Sequence, residues 1–120
     1  MPPRHRPAAE ADVVRWLTEV AEEDEPSREA LRGLTKHFLA VLSDRAPGRS
    51  VEVRVPPYAA VQCVAGARHT RGTPPATVEA DAHTWIALAT GEVDWSTAVQ
   101  QGRVVASGER SDLSPLLPLR

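Results

Sequence analysis

The stretch Asp81-Ala-His-Thr-Trp85, followed by Gly91 and then by Gly102-Arg-Val-Val-Ala-Ser-Gly108, decides the fold of this chain. Its first residue is a favourable N-cap and the glycine that follows is a favourable C-terminal stop, so a short helix is predicted between them. Asp94 caps a second short helix, which ends at the first glycine of the last motif. The valines after that glycine favour a strand. A pair of short helices that leads into a strand is therefore predicted for the second half of the chain.

Two longer helices are predicted in the first half. Apolar side chains recur at helical spacing over residues 8–23, and Pro26 ends that pattern. Ser27 is a good N-cap for the next helix, which Pro47-Gly48 stops. Gly33 lies inside this helix, where it costs about 1 kcal/mol relative to alanine. It therefore suggests that the neighbouring helix approaches closely at this point.

Three strands are predicted between the two pairs of helices. Valines alternate with Glu52 and Arg54 over residues 51–55, which is the pattern of a strand with one solvated face, and the two charged residues are predicted to form a surface pair. Residues 58–65 are apolar on both faces and are predicted as a more central strand. Residues 76–80 form the third strand. The connections are short, which favours antiparallel pairing, and the strand at the end of the chain returns across the sheet.

These elements predict a single α+β domain over residues 1–120, with a proline-rich disordered tail at 1–7. A hydrophobic fraction of 42% and a charged fraction of 25% are typical of a globular chain. The net charge of −2 gives no electrostatic footprint for nucleic acid. No apolar run is long enough to span a bilayer, and the N-terminus lacks the apolar region of a secretory signal. The sequence therefore predicts a cytoplasmic protein.

No catalytic residue, metal site or cofactor is predicted. Cys63 has no second cysteine to pair with, and its apolar neighbours favour a small buried hydrophobe over a reactive thiol. The four histidines lack the spacing of zinc ligands. No nucleophile elbow or glycine-rich phosphate loop is present in the sequence. A small enzyme that uses His69 as a general base is the least favoured alternative.

The order of the predicted elements resembles sterol carrier protein 2-like domains, and more narrowly the small stand-alone bacterial members found in actinobacteria. The match covers roughly residues 27–119, whereas the N-terminal helix at 8–26 is less diagnostic. The resemblance implies a curved mixed sheet of four to five strands, covered on one face by helices, with an apolar tunnel between the layers. A fifth strand either lies within 66–75 or is absent. The residues that carry the match are Val51-Glu-Val-Arg-Val-Pro-Pro57, Val61-Gln-Cys-Val64, Arg68-His-Thr-Arg-Gly-Thr-Pro-Pro75, the helix from Asp81 to Gly91, and Gly102 to Gly108.

The resemblance also implies non-enzymatic binding or transfer of an apolar ligand, such as a fatty acyl chain, an acyl-CoA or a sterol-like lipid. Alanines in the second strand and the first short helix leave room for a cavity between sheet and helices, or else let the two layers pack closely and dry. The leucines near the C-terminus would serve as a lid. The predicted ligand-binding residues are Tyr58, Ala60, Gln62, Arg68, His69, Arg71, Trp85, Leu113, Leu116 and Leu117.

Two of these assignments have structural alternatives. A buried Gln62 amide would either meet a polar group of the ligand or tie its strand to the 66–75 loop. Arg68, His69 and Arg71 would either hold a carboxylate or phosphate, as the polar end of an acyl pocket, or form a basic surface loop. The alternative function for the whole chain is an interaction or dimerisation module without bound lipid, with a homodimer as its assembly.

Overall fold

The computed structural model describes residues 5–66 and 76–120 of the chain, and these residues form four helices and four strands. The elements confirm the predicted α+β class. A short 3₁₀ turn at Ser114–Leu116 lies near the C-terminus. In chain order the elements are α1 Glu10–Glu22, α2 Arg28–Arg45, β1 Val51–Val55, β2 Ala59–Cys63, β3 Ala76–Ala80, α3 Ala82–Thr90, α4 Trp95–Gln100 and β4 Val104–Ser107.

Three of the helices begin at the predicted N-caps. The side-chain oxygens of Ser27, Asp81 and Asp94 accept the backbone N–H three residues further on, at 3.1, 2.8 and 2.7 Å. Gly91 ends α3 in the left-handed conformation, with φ of 79°, as its position in the sequence predicts. The three side-chain caps accept backbone N–H groups that have no partner within the helix. The left-handed glycine lets the chain leave the helix at its C-terminal end.

The sheet is mixed, with the strand order β2-β1-β3-β4. β1 pairs antiparallel with β2 and parallel with β3, and β3 pairs antiparallel with β4. The predicted antiparallel pairing is confirmed for β1 with β2 but is wrong for β2 with β3, which are not neighbours. Among the strands of residues 5–66 and 76–120, β2 lies at the edge rather than near the centre. The alternation of apolar residues identifies the solvated face of a strand, but it does not identify the strand's neighbours.

Four strands pair within residues 5–66 and 76–120, and most of the segment proposed for a fifth strand, 67–75, lies outside the described residues. The predicted tail at 1–7 lies partly outside them as well.

The helices cover one face of the sheet, where the core lies. The valines of β1 are buried while Arg54 between them is exposed, and β3 repeats this pattern with Val78 buried and Glu79 exposed. Glu52 and Arg54 form an ion pair on the uncovered face, which confirms the predicted surface pair. The core cluster between the layers combines strand residues with Leu34, Phe38, Leu39, Leu42, Trp85 and Leu88 from the helices.

Helix α1 packs on α2 through the bare surface of Gly33. A Cβ atom at this position would lie 2.6 Å from two ring atoms of Trp16, which is closer than carbon atoms can approach. The glycine therefore lets the indole ring lie directly against the α2 backbone. This contact confirms the close helix approach predicted from the sequence.

His37 connects the N-terminal segment to the core. Its side chain is buried, and its Nδ1 accepts the backbone N–H of Ala8 at 2.9 Å. Burial lowers the pKa of His37 below its usual value of 6.5, the Arg120 cation lowers it further, and Glu10 acts in the opposite direction. The imidazole is therefore neutral at pH 7, which the hydrogen bond also requires, because a protonated Nδ1 cannot accept.

We expect the protein to lose stability as the pH falls below 6.5. The unfolded chain binds a proton at this histidine more readily than the folded chain does, so the contribution of His37 is complete above 6.5 and is lost as the pH falls toward the lowered pKa. Urea unfolding from about pH 7.5 to about pH 5.5 measures the slope of the free energy of unfolding against pH. His37→Gln should flatten it. Equal slopes in the wild type and His37→Gln would contradict this assignment.

Candidate ligand-binding site

The space between the sheet and the helices is filled around the core residues that join the two layers. Val55 of β1, Leu39 of α2 and Ala89 of α3 are all 0% exposed, so no gap beside them is large enough for a water molecule. Trp85, predicted to line a pocket, is 1% exposed and donates its Nε1–H to the Thr35 carbonyl at 3.3 Å. Trp85 is therefore a core residue. Ala89 therefore lets α3 approach the sheet rather than leave a hollow beside it.

Ala60 and Gln62 lie on the uncovered face of the sheet. Both are exposed, and in the register of the sheet they lie opposite Arg54 and Glu52. The prediction of a buried Gln62 amide is therefore wrong. The reason is that β2 is apolar on both faces although only one face of the sheet is covered. The role of Gln62 toward a ligand or toward the 66–75 loop stays a prediction.

Of the remaining predicted residues apart from the C-terminal leucines, one lies within the described part of the chain. Tyr58 is half-buried in the turn between β1 and β2. Arg68, His69 and Arg71 lie outside the described residues. No group of three or more His, Cys, Asp or Glu side chains within residues 5–66 and 76–120 is arranged to hold a metal ion.

The C-terminal leucines are anchors of the fold rather than a lid. Leu113 is 0% exposed and Leu119 is 4% exposed, whereas Leu116 and Leu117 are half-buried at the edge of the core. The Leu119 N–H donates to the Ala89 carbonyl at 2.8 Å. This segment is further held by Arg45, which donates to the Leu119 carbonyl at 2.9 Å. Hydrogen bonds as well as apolar contacts therefore hold the C-terminal segment against the core.

Cys63 has the properties of a small buried hydrophobe. Its side chain is 0% exposed, and burial raises the pKa of the thiol to about 11. The thiol therefore stays protonated near neutral pH, and a protonated thiol is a poor nucleophile.

Two of the cavities among the described residues lie on opposite flanks of α1. Trp16 faces one and Leu17 faces the other, because successive helical residues point about 100° apart. The first, here called the basic cavity, has a volume of about 790 Å³ and is lined by Trp16, Arg28, Glu29, Arg32, Gly33, Lys36, Pro57 and Tyr58. The second, here called the apolar cavity, has a volume of about 700 Å³ and is lined by Leu17, Val20, Ala21, His83, Ile86, Ala87, Thr90, Glu92, Val93, Gln101 and Arg103.

The apolar cavity is a cleft between α1 and α3, with aliphatic side chains on its α1 wall and both aliphatic and polar side chains on its α3 wall. Helix α1 contributes Leu17, Val20 and Ala21, and α3 contributes four residues at the spacing i, i+3, i+4, i+7, beginning at His83. This spacing places the four on one face of α3. Ile86, 3% exposed, lies among them. The volume falls within the range of about 300–1,000 Å³ that is usual for small-molecule sites.

Arg103 supplies a cation to the apolar cavity. Its Nε donates to the hydroxyl of Thr84 at 3.3 Å, and its Nη1 makes a long contact of 3.5 Å to Gln101. No ion pair joins Arg103 to a carboxylate of the described residues, even though Glu92 lines the same cavity. Because Nε is already used and the Nη1 contact is long, the terminal nitrogens can bind an anion end-on.

The sequence contained a signal for this cleft. The apolar positions of α1 cover more of the helix than the stripe that packs on α2, and Leu17 and Ala21 form the extra flank. Such a broad apolar arc indicates that a helix contacts something on two sides. Arg103 had no comparable signal, because its position beside α3 results from the chain returning to the sheet as β4.

Residues 27–119 of the chain match the family model described as bacterial SCP ortholog, where SCP denotes sterol carrier protein. A mixed four-stranded sheet with helices on one face is consistent with that class of α+β protein. The chain belongs to this bacterial sterol carrier protein-like family. No curated protein matches it. Among the described residues, no helix combines the length and the apolar composition that crossing a bilayer requires.

Proposed function

We propose that the protein reversibly binds an apolar acid of the fatty-acyl type in the apolar cavity. Membership of a sterol carrier protein-like family suggests lipid binding or transfer. The observation that supports this site is that aliphatic side chains of α1 and α3 line the same cleft as the guanidinium of Arg103, with which no carboxylate pairs among the described residues. The acyl chain lies along Leu17, Val20 and Ile86, and the carboxylate binds Arg103.

The two parts of such a ligand contribute differently to its affinity. Each methylene buried against Leu17, Val20 or Ile86 contributes about 0.8 kcal/mol, so a few carbons are enough for measurable binding. The charge-assisted contact with Arg103 mainly fixes the orientation of the ligand, because an exposed ion pair is worth about 1 kcal/mol or less. The proposal therefore favours long-chain monocarboxylates over short ones.

We propose that the protein binds this ligand without catalysing a reaction on it. Within the described residues the cavity holds no cysteine, and its histidine, His83, is an exposed residue without a hydrogen-bonded carboxylate or serine. A general base normally needs such a partner to orient it. A non-enzymatic carrier that works in the cytoplasm, as the sequence predicts, fits these features best.

Filling the cavity should weaken ligand binding. Ala21 is exposed and lines the cleft, so Ala21→Trp places a large side chain in the cavity without disturbing the core. We expect the affinity for a fluorescent long-chain fatty acid to fall at least about tenfold, equivalent to about 1.4 kcal/mol. The matched control is Ala11→Trp, at an exposed position of the same helix that does not line the cleft. Equal loss in both variants, or in neither, would place the ligand elsewhere.

The ligand itself can be identified directly. Protein purified under native conditions is extracted with organic solvent, and the extract is analysed by mass spectrometry beside that of the Ala21→Trp variant. Fatty acids should be present in the first extract and depleted in the second. Extracts that are free of lipid in both cases, together with no fatty-acid binding in titrations, would favour the interaction module that is the alternative function.

A further inference from the structure

The basic cavity has a different chemistry from the apolar cavity and lies on the other flank of α1. Arg28, Arg32 and Lys36 line it at intervals of one helical turn, so their side chains emerge from the same face of α2 over about 12 Å. Arg28 and Arg32 are exposed and Lys36 is half-buried. The cations therefore form a row rather than a point of positive charge.

These three cations have no carboxylate or hydrogen-bond partner among the described residues. Unpaired cations are notable here, because the chain as a whole carries a net charge of −2 and Glu29 lines the same cavity. A row of three charges exceeds what one carboxylate can occupy. It suits an anion whose charges are spread along its length, as they are in a chain of phosphate groups.

The turn between β1 and β2 contributes the other wall of the cavity. Pro57 and Tyr58 line it there, and the half-buried Tyr58 offers an aromatic ring beside the cationic row. Stacking on an aromatic side chain contributes about 1–3 kcal/mol per nucleic-acid base and tolerates any base, because every base has a flat π face. A volume of about 790 Å³ accommodates a base, a sugar and two phosphates.

We propose that the basic cavity binds a nucleotide-type ligand, with two or more phosphates along Arg28, Arg32 and Lys36 and an aromatic base against Tyr58. This site is separate from the proposed fatty-acid site, and neither proposal depends on the other.

Titrations with ADP, pyrophosphate and adenosine test the phosphate-binding and base-binding parts of this proposal. The readouts are calorimetry and tryptophan fluorescence, to which Trp16 in the cavity wall contributes. ADP should bind with a dissociation constant below about 1 mM, pyrophosphate more weakly, and adenosine most weakly. Failure of ADP to bind at this concentration would overturn the proposal. Adenosine or pyrophosphate binding as tightly as ADP would also overturn the proposal. The ligand would then use either the tyrosine side or the cationic row of the cavity, but not both.

Variants assign the site. Arg28→Gln combined with Arg32→Gln should weaken ADP binding at least about tenfold, and both residues are exposed, so the fold should persist. The charge-matched control is Arg49→Gln combined with Arg54→Gln, two exposed arginines outside the cavity, which should leave ADP affinity unchanged. An equal loss of ADP affinity in the control would mean that the effect comes from the net charge of the protein, and it would overturn the assignment.

Two further variants separate the contributions within the cavity. Tyr58→Ala should lower the affinity for ADP several-fold but leave that for pyrophosphate unchanged, whereas Glu29→Gln should raise both, because it removes a like charge. Ala21→Trp, which fills the apolar cavity, should leave ADP binding intact. Loss of ADP binding in Ala21→Trp would show that the nucleotide occupies the proposed lipid site instead, and would overturn this inference without removing that cavity's role in binding.

Discussion

Phe38→Ala will lower the free energy of unfolding by about 3–5 kcal/mol. Phe38 is 0% exposed and belongs to the cluster that joins α2 to the sheet. Its removal leaves a cavity between two layers that are closely packed, and the surrounding strands cannot collapse to fill it because their hydrogen-bonded register fixes their positions. A loss of this size is a large fraction of the total stability of a small domain.

Urea unfolding followed by circular dichroism measures this effect. The control is Val105→Ala in β4, at a residue that is 66% exposed, which should change stability by no more than about 0.5 kcal/mol. If Phe38→Ala cost as little as the control, the sheet and α2 would not share a packed core, and a hollow between the layers would again be the better interpretation. The variant also tests where the fatty acid binds. A fatty acid bound between α1 and α3 does not fill the space left by the Phe38 ring, so its addition should not reduce the difference in stability between the variant and the wild type.

Gly33→Ala will destabilise the protein by about 1–3 kcal/mol, although alanine is the better helix former. The added methyl group would lie 2.6 Å from the Trp16 ring, so α1 must move away from α2 or the indole must leave its position. Intrinsic helix propensity alone favours alanine by about 1 kcal/mol, and the predicted loss is what remains after that gain. Unfolding in urea gives the free-energy difference.

The double variant makes this prediction sharper. In a Trp16→Ala background the ring is absent, so Gly33→Ala should become stabilising by about 0.5–1 kcal/mol. A change of sign between the two backgrounds isolates the contact between the glycine and the indole. The same sign in both would mean that the glycine serves the backbone of α2 and not the approach of α1.

Most of the local structure follows from the sequence. Ser27, Asp81 and Asp94 begin helices and Gly91 ends one, because these residues satisfy or accommodate backbone groups within three or four positions of themselves. The buried valines of β1 follow in the same way from their alternation with charged residues. Such features depend on neighbours along the chain, so a single sequence is enough to predict them.

The candidate site depended on contacts that the sequence does not specify. The residues expected to surround a tunnel are distributed among the core, the uncovered sheet face and a segment outside the described residues. Alanines at the layer interface were ambiguous, because a small side chain permits either a cavity or a closer approach, and the distance between the layers decides which occurs. That distance is set by large residues elsewhere, among them Phe38 and Trp85.

The sequence by itself determined where most helices and strands lie and which face of β1 is buried, since both depend on backbone hydrogen bonding and on periodicity within one element. Only the tertiary structure decided the parallel pairing of β1 with β3, the edge position of β2, and the two cavities beside α1. Strand order and cavities arise where elements distant in the chain meet. The packing of large side chains there is a property of the whole molecule, which no local pattern encodes.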